Sequence, residues 1–321
     1  MNALANTSKS SELQAYSQRM KHYIESSQAQ NTRRAYRSSF QHFCDWAATH
    51  DQDCLPASAN TVMAYLVDLA ENGYKASTLE LRIAAIKKAH EAKGLDSPTS
   101  ALAVRQLFKG IRNEIGTAAN KKKPLTTDQI RAWINTLDDG LKSKRDKALI
   151  LLGFAGAFRR SELVGIDVEH LDFTPQGVIV RLPKSKTDQE GEGRIVAIKD
   201  HVIFPVRALQ DWLKASKITS GPVFRPLTPP RSKGGTQIRR ELRLSDRYIS
   251  VLVKDLCQSI GLDASNYAAH SLRSGHITEA YQNGARRLTI KQQTGHKSDK
   301  ALEGYIQIQD SFKENSSSFL G

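Results

Sequence analysis

The chain has 321 residues, enough for two domains of ordinary size, and 39% of them are hydrophobic, which excludes wholesale disorder. Its 47 Lys and Arg against 33 Asp and Glu leave a formal charge of +14, and that excess favours a polyanionic partner, because basic side chains at phosphates release condensed counterions. Three cysteines without a CxxC pair argue against a disulfide scaffold or a Cys-based zinc module, no apolar run approaches the ~18 residues of a membrane span, and residues 1–11 lack the apolar core of a signal peptide.

A reducing cytoplasmic setting is the expectation. The charge is uneven, a net of +3 over residues 1–120 and +11 over residues 121–321. The first third reads as helix after helix. Asn31 is an N-cap for a helix carrying Tyr36, Phe40, Phe43 and Ala47 at steps of three and four. Ser58 or Asn60 opens a second, with Val62, Leu66 and Leu69 on one face and Gly73 as its stop. Ser77 opens a third, with Leu79, Ile83 and Ile86, closed by Gly94. A fourth follows Pro98 and carries Leu102, Leu107, Phe108, Ile111 and Ile115. Short helices with brief loops make a small bundle over residues 11–115, behind a flexible N-terminus at 1–10. Residues 116–124 are polar and aperiodic and end in Lys121, Lys122 and Lys123 before Pro124, the pattern of an interdomain linker. The lysine triplet is either simply solvated or runs along a phosphate backbone.

From residue 125 the pattern is mixed. Thr126 and Gln129 fit a capping box ahead of Ile130, Trp133, Ile134 and Leu137. A helix starting at 143–146 runs into an apolar stretch at 148–158 and should be the buried centre of its domain. Residues 178–182 and 194–198 are β-branched runs joined by a long polar hairpin tip. Helices are expected at 202–216, 246–260 and 270–283, then two short ones ending near Gly295 and Tyr305. The fold class is therefore mainly α with a small β-sheet, α+β.

Four pieces stand out chemically. Arg159 and Arg160 end the apolar stretch, and one of the pair should point inward, where it needs an anionic partner such as Glu162, three residues on. His270 and Arg273 share a helical face at i and i+3. Gly295 presents His296 at a loop, with Tyr305 nine residues later. Lys186 sits on the hairpin tip. Each alone has a bland reading: a surface arginine with its ion pair, a chance HxxR, an amphipathic tyrosine, a solvated lysine. A histidine–metal reading is disfavoured, because His270 and His276 lie about 240° apart on a helix and no HExxH occurs, so no metal is expected.

The order and spacing carry more than the pieces. Arg159, Lys186 on a hairpin, His270 and Arg273, Gly295-His296 and Tyr305, with the local contexts FRRSEL and HSLRSGHIT, resemble the tyrosine recombinase (phage integrase) family along the whole chain. Arg160 stands where that family often carries an apolar residue, and alignment on Ser161-Glu162-Leu163 selects Arg159. The resemblance implies a helical core-binding (SAM-like) DNA-binding domain at 11–115, a linker at 116–124, a catalytic domain at 125–306 and a tail at 307–321 that docks on a neighbouring protomer.

The implied activity is site-specific recombination, cutting and rejoining DNA through a covalent 3′-phosphotyrosyl bond to Tyr305, with no cofactor, metal or ATP. The sequence contains no GxxxxGK[ST] phosphate loop. In the implied mechanism Arg159 and Arg273 hold the nonbridging oxygens, with Glu162 behind Arg159, and His296 adds a hydrogen bond. Lys186 protonates the leaving 5′-oxygen and His270 assists proton movement at Tyr305. DNA contacts are expected from Lys121, Lys122 and Lys123, from Arg82 and Lys87 in the first domain, and from Arg239, Arg240 and Arg243 in the basic 225–247 region. The implied partners are double-stranded DNA recombination sites and other copies of the chain in a tetrameric synapse, with room for an accessory DNA-bending protein and none for a membrane. A mobile-element enzyme of a bacterial nucleoid fits these features. Two other readings stay beside it: DNA relaxation of the type IB topoisomerase kind, and a non-catalytic DNA-binding regulator of the same fold.

Overall fold

A computed structural model describes residues 30–117, 121–183, 193–228, 237–239 and 241–296, with the single positions 16, 19, 20, 23, 298, 302 and 304. Two units result, Met1–Asn120 and Lys121–Gly321. Among the described residues no helix is long and apolar enough to cross a membrane.

The first unit holds α1 (Gln30–Thr49), α2 (Ala59–Glu71), α3 (Ala76–Glu91) and α4 (Leu102–Ile115), with a 3₁₀ turn at Pro98–Ser100. Ser58 is the N-cap of α2, its side chain accepting from the Thr61 N–H at 3.0 Å. Phe43, Val62, Tyr65, Leu66, Leu69, Leu79 and Ile86 close the core as their helical spacing requires. In α4 the buried stripe is narrower than the sequence reading. Val104 and Ile111 point inward, flanked by Leu107 and Phe108, whereas Leu102 is 62% exposed. The 3₁₀ turn after Pro98 sets the helix frame, and Leu102, two positions before Val104, falls about 200° away from the stripe. The cysteine count argued against a disulfide scaffold, yet one bridge is present. Cys44 on α1 pairs with Cys54 in the loop that folds back towards α2, with 5.0 Å between their Cα atoms.

The second unit has α5 (Thr127–Ile134), α6 (Leu141–Ala155), α7 (Arg160–Val164), strands β1 (Leu171–Thr174), β2 (Gly177–Leu182) and β3 (Arg194–Ile198), then α8 (Pro205–Ser216), α9 (Asp246–Ser259), α10 (His270–Gln282) and α11 (Arg287–Thr294). The Thr126–Gln129 capping box forms as its spacing required. Residues 148–152 of α6 are fully buried, so this helix is the centre of the unit. The sheet is antiparallel in the order β1-β2-β3, with Val180 opposite Leu171 on one side and Val196 on the other. β2 turns Val178, Val180 and Leu182 into the core, while β1 is only four residues long and its burial does not follow its Leu-Asp-Phe-Thr alternation, Phe173 being 40% exposed. The helix expected at 202–216 starts at Pro205, because Phe204 adopts a left-handed φ of 50° and the proline occupies the first helical position. The fold is thus mainly helical with a small antiparallel sheet, as read from the sequence.

Residues 121–125 lie along the second unit: the Lys123 N–H donates to the Asn266 carbonyl at 2.8 Å and the Leu125 N–H to the Ser271 carbonyl at 3.0 Å. This brings the Leu125 backbone against α10 at Gly275, where a Cβ would stand 1.9 Å from the Leu125 oxygen and 2.9 Å from the Phe154 ring. Backbone on one side and a core ring on the other leave nothing free to yield. Gly275→Ala is therefore expected to destabilise the second unit by about 2 kcal/mol or more, read as a lower urea midpoint of its unfolding transition.

Candidate active site

The site is built where the end of α6, the first turn of α10 and the end of α11 meet. α6 does not run on to the arginines as the sequence reading had it. It ends at Ala155, and Gly156 and Ala157 reverse the chain, Ala157 at a left-handed φ of 49°. The following turn makes Arg159 the N-cap of α7, so neither arginine meets the C-terminal dipole of α6. Arg160 faces outward and pairs with Asp246 at 3.0 Å. Arg159 turns to Glu162: its Nη1 donates to Oε1 at 2.6 Å and its backbone N–H to Oε2 at 2.9 Å. Its side chain stays 27% exposed while that of Glu162 is 5% exposed, so the carboxylate is the buried anchor and the guanidinium reaches solvent.

Arg273 comes from α10 and is 1% exposed. Its Nη1 donates to the Ala157 carbonyl at 2.6 Å and its Nη2 to the Thr294 carbonyl at 2.7 Å. The left-handed turn at Ala157 thus aims a carbonyl at the second guanidinium, and the end of α11 supplies another. Gly295, at φ +68°, caps α11 and turns the chain so that His296 returns to the same arginine, its Nε2 3.0 Å from Arg273 Nη2. Arginine only donates, so Nε2 accepts, and the ring proton is assigned to Nδ1, 3.0 Å from Thr294 Oγ1. The Thr294 hydroxyl in turn donates to the Ile290 carbonyl at 2.7 Å. His296 is therefore neutral at rest.

The electrostatics tie these residues into one place. Burial, then the charges of Arg273, Arg159, His270 and Arg194, push His296 down from 6.5 to about 4. His270, the first residue of α10, reaches solvent, yet desolvation and then Arg273 and Arg159 hold it below the ordinary imidazole range. Both imidazoles feel both guanidiniums, so Arg159, His270, Arg273 and His296 lie in one positively charged neighbourhood, although more than a hundred residues separate Arg159 from His270. Lys186 and Tyr305 lie outside the described residues. His276 is placed apart, edge-on to Phe154 at 6.2 Å and lowered to about 4, chiefly by burial.

These shifts have a consequence for stability. Unfolded, His276 and His296 regain their ordinary 6.5 and bind protons that the folded unit refuses down to about 4. Stability from this source is complete above pH 6.5 and is lost as the pH falls towards 4, at up to about 1.4 kcal/mol per pH unit for the deeply buried His276 and less for the more solvated His296. Urea unfolding at pH 7.5 and 5.0 is expected to show the second unit weaker at pH 5.0, with the loss reduced in His276→Phe.

Residues expected at DNA have varied settings. Arg243 donates to the Val164 carbonyl at 2.8 Å and to Asp167 at 2.7 Å. Arg82 lies 3.4 Å from the Ser38 carbonyl, and Lys87 pairs loosely with Glu91 at 3.8 Å. Lys121 donates to the Gly304 carbonyl at 3.2 Å and Lys122 to the Ser265 carbonyl at 2.5 Å, and Lys123 is exposed. Arg239 is exposed, and Arg240 is outside the described residues. The sequence reading missed Arg194. It opens β3 and is 13% exposed, bound to Glu162 at 2.9 Å, a setting that its sequence position does not reveal.

Comparison with known proteins agrees with this architecture. The phage integrase family pattern matches residues 123–311, and that of the phage integrase N-terminal SAM-like domain matches residues 14–93. An integrase/recombinase XerD homologue of Selenomonas ruminantium is 42% identical over 92% of this chain and 86% of its own. The tyrosine recombinase XerA of Pyrococcus horikoshii is 26% identical over 78% of this chain and 76% of its own. Among solved structures, a lambda integrase dimer bound to a COC′ core site superposes with a TM-score of 0.59 at 15% identity, over 91% of this chain and 94% of that one. The Tn1549 transposon integrase in complex with circular intermediate DNA gives 0.56 at 15% identity, over 91% and 94%. With a family match over more than half its length and a 42% identical relative across nearly all of it, the chain belongs to the phage integrase family, the tyrosine recombinases.

Proposed function

We propose that this DNA breaking–rejoining enzyme performs site-specific recombination through a covalent 3′-phosphotyrosyl intermediate on Tyr305. The observation that carries the reading is the cluster in which Glu162 fixes Arg159 and, through Arg194, the end of α11, where His296 meets Arg273. A phosphodiester entering it meets two fixed guanidinium forks suited to its nonbridging oxygens. Tyr305 Oη attacks phosphorus, the bond to the 5′-oxygen breaks, and Lys186 gives that oxygen a proton. A free phenol ionises near pH 10, and His270, held below the ordinary imidazole range by burial and then by Arg273 and Arg159, is the group suited to take the phenol proton. In the second step a 5′-hydroxyl attacks the phosphotyrosine and frees Tyr305. One phosphoester is exchanged for another, so no ATP is required.

The relatives support a DNA partner: lambda integrase and the Tn1549 integrase are recorded on DNA sites. Assembly of four protomers on two sites, with residues 307–321 docking on a neighbour, belongs to the same proposal. So does the division into a core-binding domain at 11–115 and a catalytic domain at 125–306. The test is covalent capture: the protein is incubated with a library of nicked duplexes of randomised sequence, and DNA that survives denaturing extraction on protein is sequenced. A recovered consensus is expected, and two copies of it on one plasmid are expected to recombine. Adducts that relax supercoils without exchange between the copies would favour the topoisomerase reading; sequence-selective binding without adducts would favour the regulator.

A further inference from the structure

We propose that Arg194 is a positioning residue that clamps the two halves of the active site to each other. The inference rests on the recombinase reading above. Arg194 opens β3, directly after the hairpin that carries Lys186. Its Nη2 donates to Glu162 Oε2 at 2.9 Å, and its Nη1 donates to the Gln293 carbonyl at 2.8 Å. One planar fork thus holds the carboxylate that fixes Arg159 and the last turn of α11, which delivers His296. Gly295 seats directly on this side chain: a Cβ there would lie 3.0 Å from both its Cδ and its Nη1.

Simple packing does not account for the residue. Among the described residues Arg194 Nε is buried without a hydrogen-bond partner, and burial lowers the guanidinium's hold on its proton. A hydrocarbon of similar volume would fill the space at lower cost. With a side chain only 13% exposed, Arg194 is set to act through its neighbours. Glu162 accepts from Arg159 on one oxygen and from Arg194 on the other, so the carboxylate cannot rotate without losing one of them. Gln293 reinforces the same junction, its Nε2 3.1 Å from the Ala155 carbonyl and 3.3 Å from that of Ala197. The clamp therefore makes the placement of Arg159 and of His296 a single geometric variable, set at the root of the Lys186 hairpin.

The test is single-turnover adduct formation on a nicked duplex recovered by covalent capture, with wild-type protein as the control that the reaction exists. In Arg194→Met the adduct rate is expected to fall ~10- to 100-fold, the scale of an ångström-sized misplacement, with DNA affinity within about twofold of wild type. A second substrate carries an uncharged methylphosphonate at the scissile position. Because it removes the charge that the misplaced guanidinium should meet, the variant's deficit is expected to shrink to a few-fold. Arg194→Lys keeps the charge without the fork and is expected to show a smaller loss with the same dependence on substrate; it decides the matter if Arg194→Met does not fold. A wild-type rate in the folded variant, or an equal loss on both substrates, overturns the clamp. Failure of the wild-type protein to form any adduct overturns instead the recombinase reading on which it rests.

Discussion

Tyr305→Phe protein is expected to bind its DNA site as tightly as wild type and to form no covalent complex. The substitution removes one oxygen and leaves the ring, so binding contacts survive while the nucleophile does not. Loss of a nucleophile typically costs on the order of 10⁴–10⁶ in rate, because the remaining groups still bind the substrate but have nothing to transfer it to. The proposed site contains no second hydroxyl assigned to attack. Denaturing gels of nicked duplex with each protein, alongside a mobility-shift titration, separate the two effects. An adduct persisting in Tyr305→Phe would move the nucleophile to another residue.

Arg273→Lys is expected to lower the rate of adduct formation by ~10²–10³, equivalent to about 3–4 kcal/mol of barrier, the usual cost of removing one preorganised donor. Arg273 already spends Nη1 on the Ala157 carbonyl and Nη2 on Thr294 and His296. Those contacts fix the plane of the fork before a phosphate arrives. A lysine reaches the same region as a point charge and cannot hold two carbonyls while orienting towards an oxygen. His296 would also lose the donor to its Nε2, so part of the deficit should reflect a misplaced imidazole. Single-turnover kinetics at saturating DNA measures the effect. A loss under about tenfold in a folded variant would show that Arg273 is structural only.

How much of this was legible beforehand depends on the kind of signal. Helix faces such as Val62, Leu66 and Leu69 were plain, because burial repeats every three or four residues. The capping box at Thr126 and the stop at Gly295 follow from local backbone chemistry and were equally plain. An ion pair from one of the two arginines to Glu162 was legible because residues three apart along a turn can meet, and Arg159 is the one that makes it. The strand Leu171–Thr174 was not legible, because four residues are too short a run for its alternation to stand out from a loop. The reversal at Ala157 was hidden as well: an alanine at positive φ carries no mark in its identity, and only the tertiary structure, with Arg273 bound to its carbonyl, accounts for it. Arg194 escaped for a related reason. A single basic residue at the start of a strand looks like solvated surface until the fold brings Glu162 and α11 to it. The Cys44–Cys54 bridge likewise depends on a loop closure that cysteine counting does not reveal.

The most direct measurement is to trap wild-type protein on its nicked duplex in EDTA, digest the complex with protease and locate the nucleotide by mass spectrometry. The account expects one modified peptide, carrying a DNA 3′-phosphate on the oxygen of Tyr305, in a yield unaffected by the chelator. A nucleotide on any other residue, attachment through a 5′-phosphate, or cleavage that vanishes with EDTA would contradict it.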